Sequence, residues 1–177
     1  RARTLGWTDC YTFTKAMAER AVEQACAAAA GAEPGEVALP LTILRPSIIE
    51  SALEQPYPGW IEGFKMAEPL ILAYGRGELP EFPATPEAVV DIVPCDHVVN
   101  AILAVCATQP EIGNPEYYHV NSGARNPLTF KDLYSYIRAY FMDHPFEGGP
   151  RGAARLPQWQ FPGASSIERL LSTSERA

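Results

Sequence analysis

Amphipathic and continuously apolar segments alternate along most of the chain. Residues 8–30 place Phe13, Met17, Ala21 and Cys26 near helical spacing, which predicts a helix with one face toward a core. Thr8 or Asp9 supplies its cap, and Gly31 follows the Ala-rich end as a stop. Residues 41–44 form a short apolar run ended by Pro46, the pattern of a strand covered on both faces. Residues 47–59 read as a loop, and residues 60–74 as a helix bent by Pro69, with Ile61, Phe64, Ile71 and Leu72 as its apolar positions. After a turn-rich connection at 75–86, a second strand is expected at 88–93 with Asp91 in its interior. Pro94 and Asp96 then open a helix to about residue 107, on which Val98, Val99, Ile102, Leu103 and Cys106 share a face. A third strand is expected at 117–120, and a last helix at 128–141, capped by Thr129, with Leu133, Ile137, Tyr140 and Phe141 on one side. Glycines gather beyond His144, so 144–177 reads as a linker or the start of a following region.

Helices that alternate with short buried strands predict an α/β fold with a mainly parallel sheet. The 177 residues suffice for one ordinary domain or a large piece of a bigger one. A net charge of -7 argues against nucleic acid as the main partner, because a surface that tracks phosphates needs clustered Lys and Arg. Cys10, Cys26, Cys95 and Cys106 form no C-x-x-C pair and share no ligand pattern with His97, His119 and His144, so no metal site or disulfide framework is expected. No apolar stretch reaches the ~20 residues of a membrane span, and no signal peptide heads the chain; a cytoplasmic setting is the default expectation, with peripheral membrane contact as a variant of it. The start at Arg1, with a helix close behind it, reads as a fragment.

Candidate chemistry concentrates on the first helix. Tyr11 and Lys15 are four apart and lie on one helix face. A nearby ammonium and the positive end of a helix both favour a phenolate, and a tyrosine so placed can give a proton to an oxyanion forming at a carbonyl. The same spacing also suits a packed aromatic with a wet hydroxyl, and by itself does not separate the two. Arg45-Pro46-Ser47 closes the first strand, and ligands of open α/β sheets bind beyond the carboxyl ends of strands. Read alone, that tripeptide is an ordinary strand exit with a surface arginine. Asp91, Asp96 and Asn100 read as structural: Asp91 bonding backbone at a strand edge, Asp96 capping a helix, Asn100 tying a loop.

Several stretches in order carry a resemblance. Gly6-Trp7 and the run from Tyr11-Thr12-Phe13-Thr14-Lys15 to Glu19 resemble the catalytic helix of the extended short-chain dehydrogenase/reductases, and more closely that of the fatty acyl-CoA reductases, or male-sterility family. Leu44-Arg45-Pro46-Ser47-Ile48-Ile49, Pro58-Gly59-Trp60-Ile61-Glu62, the run from Asp91 to Asn100 and Asn126-Pro127-Leu128-Thr129-Phe130 are similar to that subgroup too. The resemblance implies a partial Rossmann-like, doubly wound parallel sheet, the C-terminal half of a reductase domain over 1–143, together with a substrate-side subdomain. It implies NADPH as cofactor and a fatty acyl-CoA or acyl carrier protein thioester as substrate, reduced to an aldehyde or alcohol. Tyr11 is then the proton donor, Lys15 holds the nicotinamide ribose, Pro46, Ser47 and Ile48 line the nicotinamide site, and Gly59, Trp60 and Ile61 lie near the substrate entrance.

The family's G-x-x-G-x-x-G phosphate cradle, its active-site Ser or Thr and its cofactor-selecting residue are not found in these 177 residues. The expectation is therefore that the N-terminal half of the domain is missing and that the isolated piece is inactive. Other extended reductases (a thioester reductase domain, a sterol dehydrogenase, a sugar-nucleotide epimerase) remain alternatives. So does an idle scaffold that dimerises through the Tyr11 helix, where Ala16, Ala18, Ala21 and Ala25 would let a partner helix approach.

Overall fold

A computed structural model describes residues 2–30, 39–63, 67–82, 84–108, 110–146 and 156–161. It is mixed α/β with a parallel strand pair, as the alternating pattern predicts, and it divides into two compact units.

The first unit comprises Arg1–Gly59 and Val93–Asn121. Its first long element is α1 (Cys10–Ala30). Asp9 caps it, accepting from the Thr12 amide at 2.7 Å, and Trp7 packs against Phe13 at a centroid distance of 6.1 Å to set the chain's entry angle. The expected stop at Gly31 lies outside the described residues. The half-buried positions of α1 are Phe13, Ala16, Glu19, Glu23 and Cys26. This corrects the expected stripe: Met17 and Ala21 are exposed, and two glutamates take inward positions that the apolar periodicity had assigned elsewhere.

Strand β1 (Thr42–Pro46) runs one residue beyond the bond-donating limit of its sequence, since Pro46 carries no amide hydrogen. The strand β4 (Glu116–Val120) lies parallel to it, with Ile43 opposite Tyr117 and Arg45 opposite His119. Among the described residues β1 pairs with β4 alone. The segment expected to be all loop contains a short strand, β2 (Ile48–Glu50), paired with β3 (Ile92–Pro94). β3 is shorter than expected at its start, because Val89 instead makes an isolated antiparallel bridge to Thr129. Helix α3 (Cys95–Thr108) follows where predicted, but its face differs. Val98, Ala101 and Val105 point inward, while Val99, Ile102, Leu103 and Cys106 are exposed.

The second unit comprises Trp60–Ile92 and Ser122–Ala177. Helix α2 (Glu68–Gly75) starts later than predicted, and Pro69 stands in its first turn, where the lost amide hydrogen has no helical acceptor anyway. Phe64 lies outside the described residues. Helix α4 (Phe130–Asp143) is capped as expected: the Thr129 hydroxyl accepts from the Asp132 amide at 3.1 Å. Ile137 and Phe141 are buried; Tyr140, expected beside them, is exposed. Residues 156–161 pack into this unit. The Trp159 indole stacks on Phe82 and Tyr134 at centroid distances of 5.0 and 5.1 Å and donates to the Leu79 carbonyl at 2.9 Å. Tyr74 meets that indole edge-on and is fully buried, and burial first, then the neighbouring Tyr134 hydroxyl, pushes its phenol up from the ordinary value. Among the described residues no helix is long and apolar enough to cross a membrane.

Candidate active site

The first turn of α1 presents Tyr11 to solvent, with 70% of its surface exposed. The Lys15 ammonium stands 5.6 Å from the centre of the Tyr11 ring. The structure thus brings the two together on an open flank of the helix. The hydroxyl lies outside packed hydrocarbon, where a proton can reach it.

Four residues beyond Lys15, Glu19 turns toward the sheet and takes a two-pronged bond from Arg45, Nε at 3.0 Å and Nη2 at 2.7 Å. That fork holds the Glu19 carboxyl below the usual carboxylate range and raises the arginine further. The Arg45 guanidinium also lies 5.0 Å from the centre of the Tyr117 ring, and the Tyr117 hydroxyl donates to Glu23. The bond to Glu23 pushes the Tyr117 phenol up. Two glutamates on α1 therefore grip β1 and β4. Sequence reasoning had Arg45 as a surface residue and assigned no role to either glutamate. A detectable signal was present: carboxylates at 19 and 23 interrupt the stripe that starts at Phe13 and Ala16.

Arg45 leads directly into Pro46, Ser47 and Ile48, the bend between β1 and β2 at the carboxyl end of the parallel pair. The Ser47 amide donates to the Val120 carbonyl at 3.0 Å. Its hydroxyl is buried and, among the described residues, meets no hydrogen-bond partner. Ile48 is partly open.

After β2 the chain makes a closed loop, with the Gly59 amide donating back to the Ala52 carbonyl at 2.9 Å and Gly59 itself at a φ of 81°. Asp96, at the start of α3, fills that loop. Its carboxylate accepts from the amides of Leu53, Glu54 and Gln55 at 3.1, 2.9 and 3.2 Å. These bonds, Glu54 foremost and then Leu53, hold its carboxyl down to about 2. Asp96, expected as a helix cap, stands inside the first turn of α3 and organises a distant loop. Gly59 ends the first unit, while Trp60, half-buried, and Ile61, exposed, open the second.

Asp91 bonds backbone as expected: it accepts from the Ser122 and Gly123 amides, both at 3.1 Å. Among the described residues no group of three His, Cys, Asp or Glu side chains is placed to hold a metal ion.

The family model described as male sterility protein matches residues 1–102. The chain is 41% identical over 153 residues to the chloroplastic fatty acyl-CoA reductase 2 of Arabidopsis thaliana, covering 82% of this chain and 23% of that protein. It is 36% identical over 148 residues to the alcohol-forming fatty acyl-CoA reductase of Simmondsia chinensis, covering 82% and 28%. Against fatty acyl-CoA reductase 2 of Homo sapiens it is 35% identical over 144 residues, covering 80% and 26%. The chain thus spans about a quarter of the length of these curated relatives.

Proposed function

Because this chain belongs to the male sterility protein family, we propose that it supplies the proton-donating, nicotinamide-facing part of a reductase. The enzyme would use NADPH to convert a fatty acyl thioester, of coenzyme A or of acyl carrier protein, to the aldehyde and onward to the primary alcohol. The observation that carries this reading is the Tyr11–Lys15 pair, solvent-open in the first turn of a helix that is tied to the strand ending at Pro46.

The residues present fit a nicotinamide cofactor. A buried hydroxyl without a partner costs about 1–3 kcal/mol, and Ser47 carries one at the carboxyl end of β1, where a carboxamide group can satisfy it. Pro46, Ser47 and Ile48 would hold the nicotinamide and Lys15 the ribose. When bound, the cofactor supplies a hydride to the thioester carbonyl carbon. The Tyr11 hydroxyl gives its proton to the carbonyl oxygen as charge gathers there; the thiohemiacetal so formed loses its thiol, which leaves with the hydroxyl proton as the C–S bond breaks, and the aldehyde that remains takes a second hydride, from a second NADPH, and a second proton to become the alcohol. Gly59 would meet the acyl group, with the loop before it held in one shape by Asp96.

The test uses the full-length protein with NADPH or NADH and a panel of acyl-CoAs, with products identified by mass. Tyr11→Phe is expected to lower thioester-dependent NADPH oxidation by ~100-fold or more while leaving NADPH affinity nearly intact. Lys15→Ala is expected to weaken both. Retained turnover in Tyr11→Phe overturns the acid role, and unchanged cofactor affinity in Lys15→Ala overturns the ribose contact.

A further inference from the structure

We infer that Glu19 and Arg45 are positioning residues for the reaction, setting the place of Tyr11 and Lys15 against the Pro46–Ile48 wall. The inference rests on the reductase reading above and concerns what holds its parts in register.

The apolar contacts of α1 do not fix that register well. Its inward positions are Phe13, Ala16 and Cys26, and none of them is fully buried. Phe13 packs on Trp7 near the helix start, but the small, half-covered Ala16 and Cys26 beyond it let the helix slide or roll with little penalty. The polar contacts are of another kind. Glu19 meets both prongs of Arg45 on β1, and Glu23, one turn later, accepts from Tyr117 on β4. The Arg45 guanidinium over the Tyr117 ring joins the two grips. Two attachments about 6 Å apart along the axis resist both rotation and translation, where one would leave a pivot. Lys15 is one turn before the first attachment, and Arg45 is bonded in sequence to Pro46. Any slip at the fork is passed directly to the groups on either side.

The magnitudes separate this role from a stabilising one. The Arg45 and Glu19 side chains are 43% and 27% exposed, and ion pairs so open to water add little to stability. Placement matters far more, since an error of ~1 Å at a reacting group can cost ~100-fold in rate. The planar fork suits this duty, and a lysine in its place would keep the charge but lose the second prong.

Glu19→Gln and Arg45→Lys are therefore made in the full-length protein, with the double exchange Glu19→Arg/Arg45→Glu as a rescue. Thermal unfolding, kcat and KM are measured, together with the NADPH dissociation constant in the absence of acyl substrate. Each single variant is expected to lower kcat per folded molecule by ~10- to 100-fold and to weaken NADPH binding several-fold, with the unfolding midpoint moved by less than about 5 °C. The double exchange is expected to recover a large part of kcat. If both single variants keep kcat and NADPH affinity within twofold of the wild type, or lose only folded fraction, the positioning role is wrong while the reductase reading stands. If the wild type binds NADPH but no acyl-CoA of the panel elicits its oxidation, and the variants still weaken NADPH binding, the tie stands and the reductase reading falls.

Discussion

Asp96 shows how one side chain can shape a segment far from it in sequence. Its carboxylate serves three consecutive amides, the farthest 43 positions earlier in the chain. Those amides favour the ionised form, so the folded carboxyl sits at about 2, below its ordinary value of 3.8. A depressed folded value means that the carboxylate's contribution is complete above about pH 4 and is lost as the pH falls toward 2. Asp96→Asn is expected to lower the unfolding midpoint at pH 7 and to speed amide exchange at residues 53–55. The gap between variant and wild type should shrink as the midpoints are followed below pH 4; a gap undiminished at pH 2.5 would exclude the ionised form as the cause. The sequence showed an aspartate in a helix's first turn, and a capping role followed from that alone. Its true partners were hidden, because local patterns carry no information about which remote loop folds over a helix end.

Element by element, the sequence was most legible where caps are local. Thr8 or Asp9 and Thr129 marked the starts of α1 and α4, and the structure selects Asp9 at the first and keeps Thr129 at the second. It was least legible in which face turns inward. On α3 both Val98–Ala101–Val105 and Val99–Ile102–Leu103–Cys106 satisfy helical spacing, and only the packing against β1 and β2 selects the first. On α1 the glutamates made the inward face look like the outward one. Pro69 was read as a bend because the apolar positions at 61 and 64 extended the helix on paper, whereas proline is best tolerated at a helix start. At the other end of α2, helix propensity and packing give opposite signs for Gly75→Ala. Propensity alone would raise stability by about 1 kcal/mol. A Cβ there, however, would meet the Phe141 ring at 2.5 Å, and that ring is buried in the aromatic cluster. The expected net result is a loss of about 1–3 kcal/mol, read from urea unfolding of the variant. A gain would mean that Phe141 swings aside at little expense.

At the scale of the whole chain, the ordered motifs carried more than any single one. Tyr11-x-x-x-Lys15 alone left two readings open; followed by Leu44–Ile49 and Asp91–Asn100 it specified a family, and that family's model matches residues 1–102. The same view identifies what these residues do not contain, a glycine-rich cradle for the cofactor's phosphates. The 177-residue chain alone is accordingly expected to bind NADPH at least ~100-fold more weakly than the full-length protein, by titration of nucleotide fluorescence; equal affinity would place the phosphate contacts within this chain. The two units also differ in what holds them. The first relies on small apolar residues with a polar clamp, the second on an aromatic stack around one indole. Since Trp159 is shielded between Phe82 and Tyr134 whereas Trp7 stands 39% open, the two tryptophans emit from different surroundings. With Trp7 and Trp60 changed to phenylalanine, the colour of the remaining emission follows the opening of that stack, and so tracks the loosening of one half of the molecule without a label.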